Sequence, residues 1–125
     1  MASKVLPRLR RICLSLPEAS EGVSFGHPTF RAGKKTFAVF EKYRGEDTVC
    51  FKATLADQAL LVLDPSFFVA PYVGKHGWTS MRVGSGVDWR ELEDVVRESY
   101  RLVATKSMLA ALQAGAARPR RSRKK

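Results

Sequence analysis

The stretch from Ser24 to Lys52, SFGHPTFRAGKKTFAVFEKYRGEDTVCFK, decides the fold. It contains three segments rich in Phe, Thr and Val, roughly Phe25–Phe30, Thr36–Glu41 and Thr48–Lys52, which is strand composition. Two short loops separate them, Arg31-Ala32-Gly33-Lys34-Lys35 and Lys42-Tyr43-Arg44-Gly45-Glu46-Asp47, and each holds a glycine. Loops of this length and content close hairpins, so the stretch predicts a three-stranded meander. Phe37, Ala38, Val39 and Phe40 are consecutive and apolar, which predicts a central strand covered, at least in part, on both sides.

Helical patterns flank the meander. Val5, Leu9, Ile12, Cys13 and Leu16 follow i, i+4, i+7, i+8, i+11, one face of a helix over residues 4–15, with Arg8, Arg10, Arg11 and Ser15 on the other side. Pro7 lies in the first turn, where its missing N–H costs nothing, and Pro17 stops the helix. After the meander, Ala56, Ala59, Leu60 and Leu63 share a face of a helix over residues 54–63, and Thr54 with Asp57 predicts its N-cap. Residues 67–73 are apolar but broken by Pro71, an edge strand or a packed loop. Residues 78–83 alternate Thr79, Met81 and Val83 against Trp78, Ser80 and Arg82, as a strand does.

Gly84-Ser85-Gly86 reads as a turn. Asp88 with Glu91 opens a last helix on a capping-box pattern, and Leu92, Val95, Val96, Tyr100 and Val103 form its apolar face. Residues 105–114 continue it or form a short extra helix. Gly115 marks the end of the fold. The domain is thus expected over residues 1–115, with a disordered basic tail over 116–125. Strands and helices do not alternate regularly, so a doubly wound parallel sheet is disfavoured. The expectation is an α+β fold, a two-layer sandwich of an antiparallel sheet with helices on one face.

The formal charge is +10, and it is unevenly placed. Arg118, Arg120, Arg121, Arg123, Lys124 and Lys125 crowd the last eight residues, and without them the body carries +4. Such a block cannot pack, and it reads either as a polyanion-binding arm or as a solubilising tail. No apolar run approaches the roughly 18–20 residues of a membrane span. The apolar run after Arg11 is shorter than the about 7–15 residues of a signal peptide. With only two cysteines, Cys13 and Cys50, a disulfide scaffold is not indicated, and two free thiols in a cytoplasmic protein are expected.

The chemistry-bearing motifs of enzymes are absent. Gly84-Ser85-Gly86 lacks the spacing of a nucleophile elbow and of a phosphate loop. The cysteines lie 37 residues apart and the histidines 49, which is no zinc spacing. His27, fixed between Gly26 and Pro28, is either an oriented imidazole at the mouth of the sheet or a turn histidine bonded to backbone, the second being favoured. Lys75-His76-Gly77-Trp78 places two cationic groups beside an indole, a pattern that can hold an anion and stack on a ring. An exposed loop beside an anchoring Trp is the plainer reading.

Several short motifs together resemble one family. Leu14-Ser15-Leu16-Pro17-Glu18, Phe25-Gly26-His27-Pro28-Thr29-Phe30, Lys35-Thr36-Phe37-Ala38, Lys75-His76-Gly77-Trp78 and Glu98-Ser99-Tyr100-Arg101-Leu102-Val103 are similar, in order and spacing, to the MmcQ/YjbR family. The resemblance covers about residues 5–105. It implies a small bacterial cytoplasmic protein with a frataxin-like α+β sandwich. It also implies DNA binding through a paired-hairpin, double-wing surface, and it brings no catalytic residues and no cofactor. Frataxins bind iron through an acidic helix surface, whereas the first helix here is basic, so no metal is carried over.

Two functions follow. The first is a non-catalytic nucleic-acid-binding module whose partner is DNA or another polyanion. Arg31, Lys34 and Lys35 form one hairpin tip and Lys42 and Arg44 the other, roughly 20 Å apart at opposite ends of the strand between them. Contacts would be mainly to phosphates, with the tail adding to them. The second is a small-ligand or protein-interaction module in which His27, Lys75, His76 and Trp78 converge on a pocket for an anionic ligand. A monomer is the favoured state.

Overall fold

A computed structural model describes residues 4–84 and 86–117. Helix α1 (Val5–Leu14) is followed by strands β1 (Ala19–Ser24), β2 (His27–Ala32), β3 (Lys35–Tyr43) and β4 (Glu46–Lys52). Helix α2 (Leu55–Leu61), strand β5 (Phe67–Val69), a 3-10 turn at Gly74–His76 and strand β6 (Trp78–Arg82) come next, and helices α3 (Trp89–Val103) and α4 (Lys106–Ala117) end the described chain. The six strands form one sheet in the order β1-β2-β3-β4-β6-β5, every pair antiparallel. This is the expected α+β class.

Cross-strand partners show which face the helices take. Glu21, Phe30, Ala38, Phe51 and Thr79 lie in one row across β1, β2, β3, β4 and β6. Arg10 of α1 bonds Glu21, and Gln58 of α2 bonds Thr79. Tyr100 of α3 meets Phe37 edge to face, with ring centroids 5.4 Å apart. All three helices therefore cover the same side. Their buried residues Leu9, Cys13, Leu92, Val96 and Tyr100 join Phe30, Phe37, Val49, Phe51 and Met81 in a single core. Fully burying each large apolar side chain contributes about 1.5–3 kcal/mol before entropy is counted.

The opposite face carries no helix among the described residues, yet Thr48, Cys50 and Ser80 on it are buried. Side chains make the cover. Tyr43 and Phe68 reach over β4 and β6 until their rings lie 5.0 Å apart, and the Arg82 guanidinium sits 4.6 Å from the Phe68 ring.

Two expectations are corrected here and a third is made specific. The meander has four strands: β1 precedes it, and Phe25 is not in a strand but in the β1–β2 turn. Register in the β2–β3 pair slips by one residue at Phe30/Arg31. This bulge lets Phe37 and Ala38 both face the helices, while Val39, beside Cys50 on the other face, is half-buried, so β3 is a central strand whose second side is covered in part. Finally, α4 continues through Gly115 to Ala117. One helical glycine costs about 1 kcal/mol relative to alanine, which is too little to stop a helix among alanines.

Candidate nucleic-acid interface

Each hairpin tip is set by its turn. Between β3 and β4 the two loop residues Arg44 and Gly45 both have positive φ, 53° and 84°, the pattern of a type I′ turn. Between β2 and β3 the loop is Gly33-Lys34, and only Gly33 has positive φ, at 60°. The β3 strand between the tips is nine residues long, so they stand roughly 30 Å apart at about 3.3 Å per residue. That is farther than the shorter expected strand allowed, and the tips do lie at opposite ends of the sheet.

The tips differ in available charge. Lys34 and Lys35 are exposed and make no ion pair among the described residues. Arg31 is half-buried, and its guanidinium lies against Gly22, where an added Cβ would come within 2.8 Å of Nη1. It therefore lies along β1 and does not project from the tip. At the other tip, Lys42 Nζ pairs with Asp47 at 2.8 Å, and Arg44 lies 5.3 Å from the centre of the Tyr43 ring. Glu46 is taken by Arg82 at 3.1 Å.

Two further features sit at the Arg44 end of the sheet. The first is the β1–β2 turn, Phe25-Gly26, with φ of 52° and 81° and Phe25 97% exposed. In an antiparallel meander the β1–β2 and β3–β4 tips fall at the same end, two strand spacings or about 10 Å apart. The pair of neighbouring tips is thus Phe25-Gly26 and Arg44-Gly45. Type I′ turns favour Asn, Asp or Gly at the first central position, and a Phe there reads as the start of a strand.

The second is a cleft of about 700 Å³ between α1 and the segment leading into α3. Lys4, Arg8 and Arg11 line one side, and Asp47, Val83 and Trp89 are on the other. The three cations are spaced i, i+4, i+7, so one helix face presents them together. The Arg8 guanidinium is 4.4 Å from the Trp89 ring centre, and none of the three makes an ion pair among the described residues. Arg10, one position away, is consumed by Glu21, with bonds of 2.6 and 2.9 Å. That bond holds the Glu21 carboxyl below its ordinary range and raises the Arg10 guanidinium. The spacing of Lys4, Arg8 and Arg11 was legible in the sequence; their convergence on Trp89 and Asp47 needed the tertiary fold.

The family model for YjbR matches residues 14–102, well over half of the chain. The chain belongs to the YjbR family. Its fold is similar to the crystal structure of a Deinococcus radiodurans protein, DR2400, with the family-model domain DUF419. The likeness covers 86% of this chain and 87% of that one at 21% identity, with a TM-score of 0.71. No curated protein matches the chain. The YjbR match includes Arg44, Trp89 and all six strands. It starts after Lys4, Arg8 and Arg11 and ends before α4.

The second expected site does not assemble in this YjbR-family fold. His27 is at the start of β2 and Trp78 at the start of β6, with β3 and β4 between them. Three strand spacings alone separate them by about 14 Å. Their ends differ as well: His27 lies beside the Phe25 turn, while Trp78 pairs with Lys52 at the far end of β4. His27 is half-buried, and its carbonyl accepts a bond from the Thr29 hydroxyl at 2.9 Å. Lys75 and His76 are exposed on the 3-10 turn.

Both thiols are free and buried. Burial pushes the Cys13 thiol far up, and it pushes Cys50 up to about 12. Neither is placed for nucleophilic work. Among the described residues no group of three or more His, Cys, Asp or Glu could hold a metal ion, and no helix is long and apolar enough to cross a membrane. Arg118, Arg120, Arg121, Arg123, Lys124 and Lys125 lie outside the described residues.

Proposed function

We propose that this chain is a non-catalytic nucleic-acid-binding protein that contacts mainly phosphates, with DNA as its partner. One observation carries the reading: Lys4, Arg8 and Arg11 line a single cleft, no carboxylate among the described residues is paired to any of them, and the cleft opens beside the β3–β4 hairpin. Free cations converging on a groove are what a phosphate backbone needs. Arg44 and the exposed Phe25 turn extend this surface as two neighbouring tips. Lys34, Lys35 and the basic tail reach other segments of the polyanion. The charged side chains on the contact surface are lysines and arginines on helix and hairpin backbones, so affinity is expected to depend strongly on salt and weakly on sequence.

The test is duplex DNA binding by fluorescence anisotropy over a range of salt. Three proteins are compared: the parent, a variant with the six basic tail residues changed to Ser, and a Lys4→Ala, Arg8→Ala, Arg11→Ala variant. Each phosphate neutralised contributes about 0.9 to the log–log salt slope, so the triple variant should lose roughly 2 to 3. The tail variant should lose up to about 5 of slope, one contact for each of its six cations, yet still bind at low salt. If the tail variant does not bind at low salt, polyanion binding belongs to the tail alone and the folded surface has no part in it.

A further inference from the structure

A second cavity lies on the other flank of α3. It is a groove of about 300 Å³ between α2 and α3, floored by Phe51, Leu61, Val95 and Leu102. Its rim differs from that of the α1 cleft. Asp57 of α2 and Asp94 and Glu98 of α3 stand on it, against the single cation Lys52. Glu98 is paired with Arg101, while Asp57 and Asp94 make no ion pair among the described residues. In a chain of formal charge +10, this is a local excess of carboxylate over an apolar floor. Nearby on α3, burial and the charges of Asp64, Asp88 and Asp94 push the Glu91 carboxyl up, and of these three only Asp94 stands on the groove.

The groove is also wetter than an apolar lining should be. Leu60 on its wall is 67% exposed and Leu102 is 44% exposed. That exposure leaves part of the apolar lining open to a ligand, directly beside the carboxylates of Asp57 and Asp94. The volume limits what that is. Ligand pockets run from about 300 to 1,000 Å³, so this one accepts a ring or a short chain and not a docked helix. With three carboxylates against one lysine, the rim favours a cation over an anion.

We propose that the α2–α3 groove binds a small organic cation with an apolar body, an aralkyl or alkyl amine. The body lies on Phe51, Leu61, Val95 and Leu102, and the ammonium is held by the carboxylates of Asp57 and Asp94. The site is independent of the nucleic-acid reading, since it uses none of the same residues.

The test uses the full chain and two probes of matched shape, phenethylamine and 3-phenylpropionate, in amide-resolved NMR titrations at physiological salt. Phenethylamine should cause saturable shifts confined to residues 52–61 and 94–102, while the acid causes none that saturate there. Asp57→Asn with Asp94→Asn should weaken the amine about threefold to tenfold. Both positions are exposed, so folding is not at risk, and the amide spectrum itself checks it. Asp94→Lys should reverse the preference between the probes, and Asp94→Glu should retain it. Scattered or non-saturating shifts, equal binding of the two probes, or unchanged affinity in the double variant would each overturn the proposal.

Discussion

Replacing Ser99 by Ala tests the join between the helical layer and the sheet. Ser99 is fully buried on α3. Its hydroxyl donates to the Phe37 carbonyl at 2.7 Å and accepts from the Lys52 backbone N–H at 2.8 Å. Phe37 and Lys52 are the residues next beyond Ala38–Phe51, where β3–β4 pairing ends, beside the bulge in β3. The hydroxyl is thus inserted between two backbone groups that would otherwise pair across the ladder. Alanine leaves both groups without their partner in a dry site. An orphaned buried polar group costs about 1–3 kcal/mol, so the pair should cost about 2–4 kcal/mol after partial relaxation. For a domain near 100 residues this is a fall of roughly 10–20 °C in Tm. Urea melts should show a lower midpoint at unchanged slope. Ser20→Ala on the exposed edge strand is the control and should stay within about 0.5 kcal/mol. If Ser99→Ala falls in that same range, the sheet closes its own ladder and the hydroxyl bridge does not hold the layers together.

Two other outcomes are expected. Gly77→Ala should destabilise by more than about 3 kcal/mol or prevent folding, because φ is +96° and a Cβ would sit 2.0 Å from the Ala53 carbonyl oxygen; melting of the soluble variant within about 0.5 kcal/mol of the parent would contradict this. Cys13 and Cys50 should resist a thiol reagent at pH 8 in the native protein and count as two once unfolded. With Cys50 pushed up to about 12, only on the order of one molecule in ten thousand carries its thiolate at that pH. Labelling of either within seconds under native conditions would show that the core opens far more readily than its packing implies.

What the sequence disclosed depended on whether local pattern and tertiary contact agreed. In α3 they agree: Leu92, Val96, Tyr100 and Val103 are buried as spaced, and Asp88 caps the helix by accepting from the Glu91 N–H at 3.1 Å. In α2 they do not. Leu60 and Leu63, which the period assigns to a buried face, are 67% and 79% exposed, while Gln58 is buried. That helix is anchored by a polar contact: Gln58 Nε2 donates to the Gly74 and Trp78 carbonyls and to the Thr79 hydroxyl. Apolar period cannot report an amide anchor. Strand β1 was illegible for a related reason. Its residues, Ala-Ser-Glu-Gly-Val-Ser, are exposed or half-buried throughout, and backbone pairing with β2 holds it at the edge.

The site was legible only as charge. Counting Lys and Arg located basic tips, but pairing decided which cations are free. Asp47 takes Lys42 and Glu21 takes Arg10, while Lys4, Arg8 and Arg11 are left together beside Trp89. The surplus carboxylates fall instead on the α2–α3 flank, where Asp57 and Asp94 rim the groove. A net charge of +10 therefore conceals two flanks of opposite character, divided by α3. The division has a functional consequence under the two readings proposed above. Phosphate is attracted to the α1 flank and repelled from the groove, and an organic cation is treated in the reverse sense. Because the two sites share no side chain, substitutions in one should leave binding at the other unchanged.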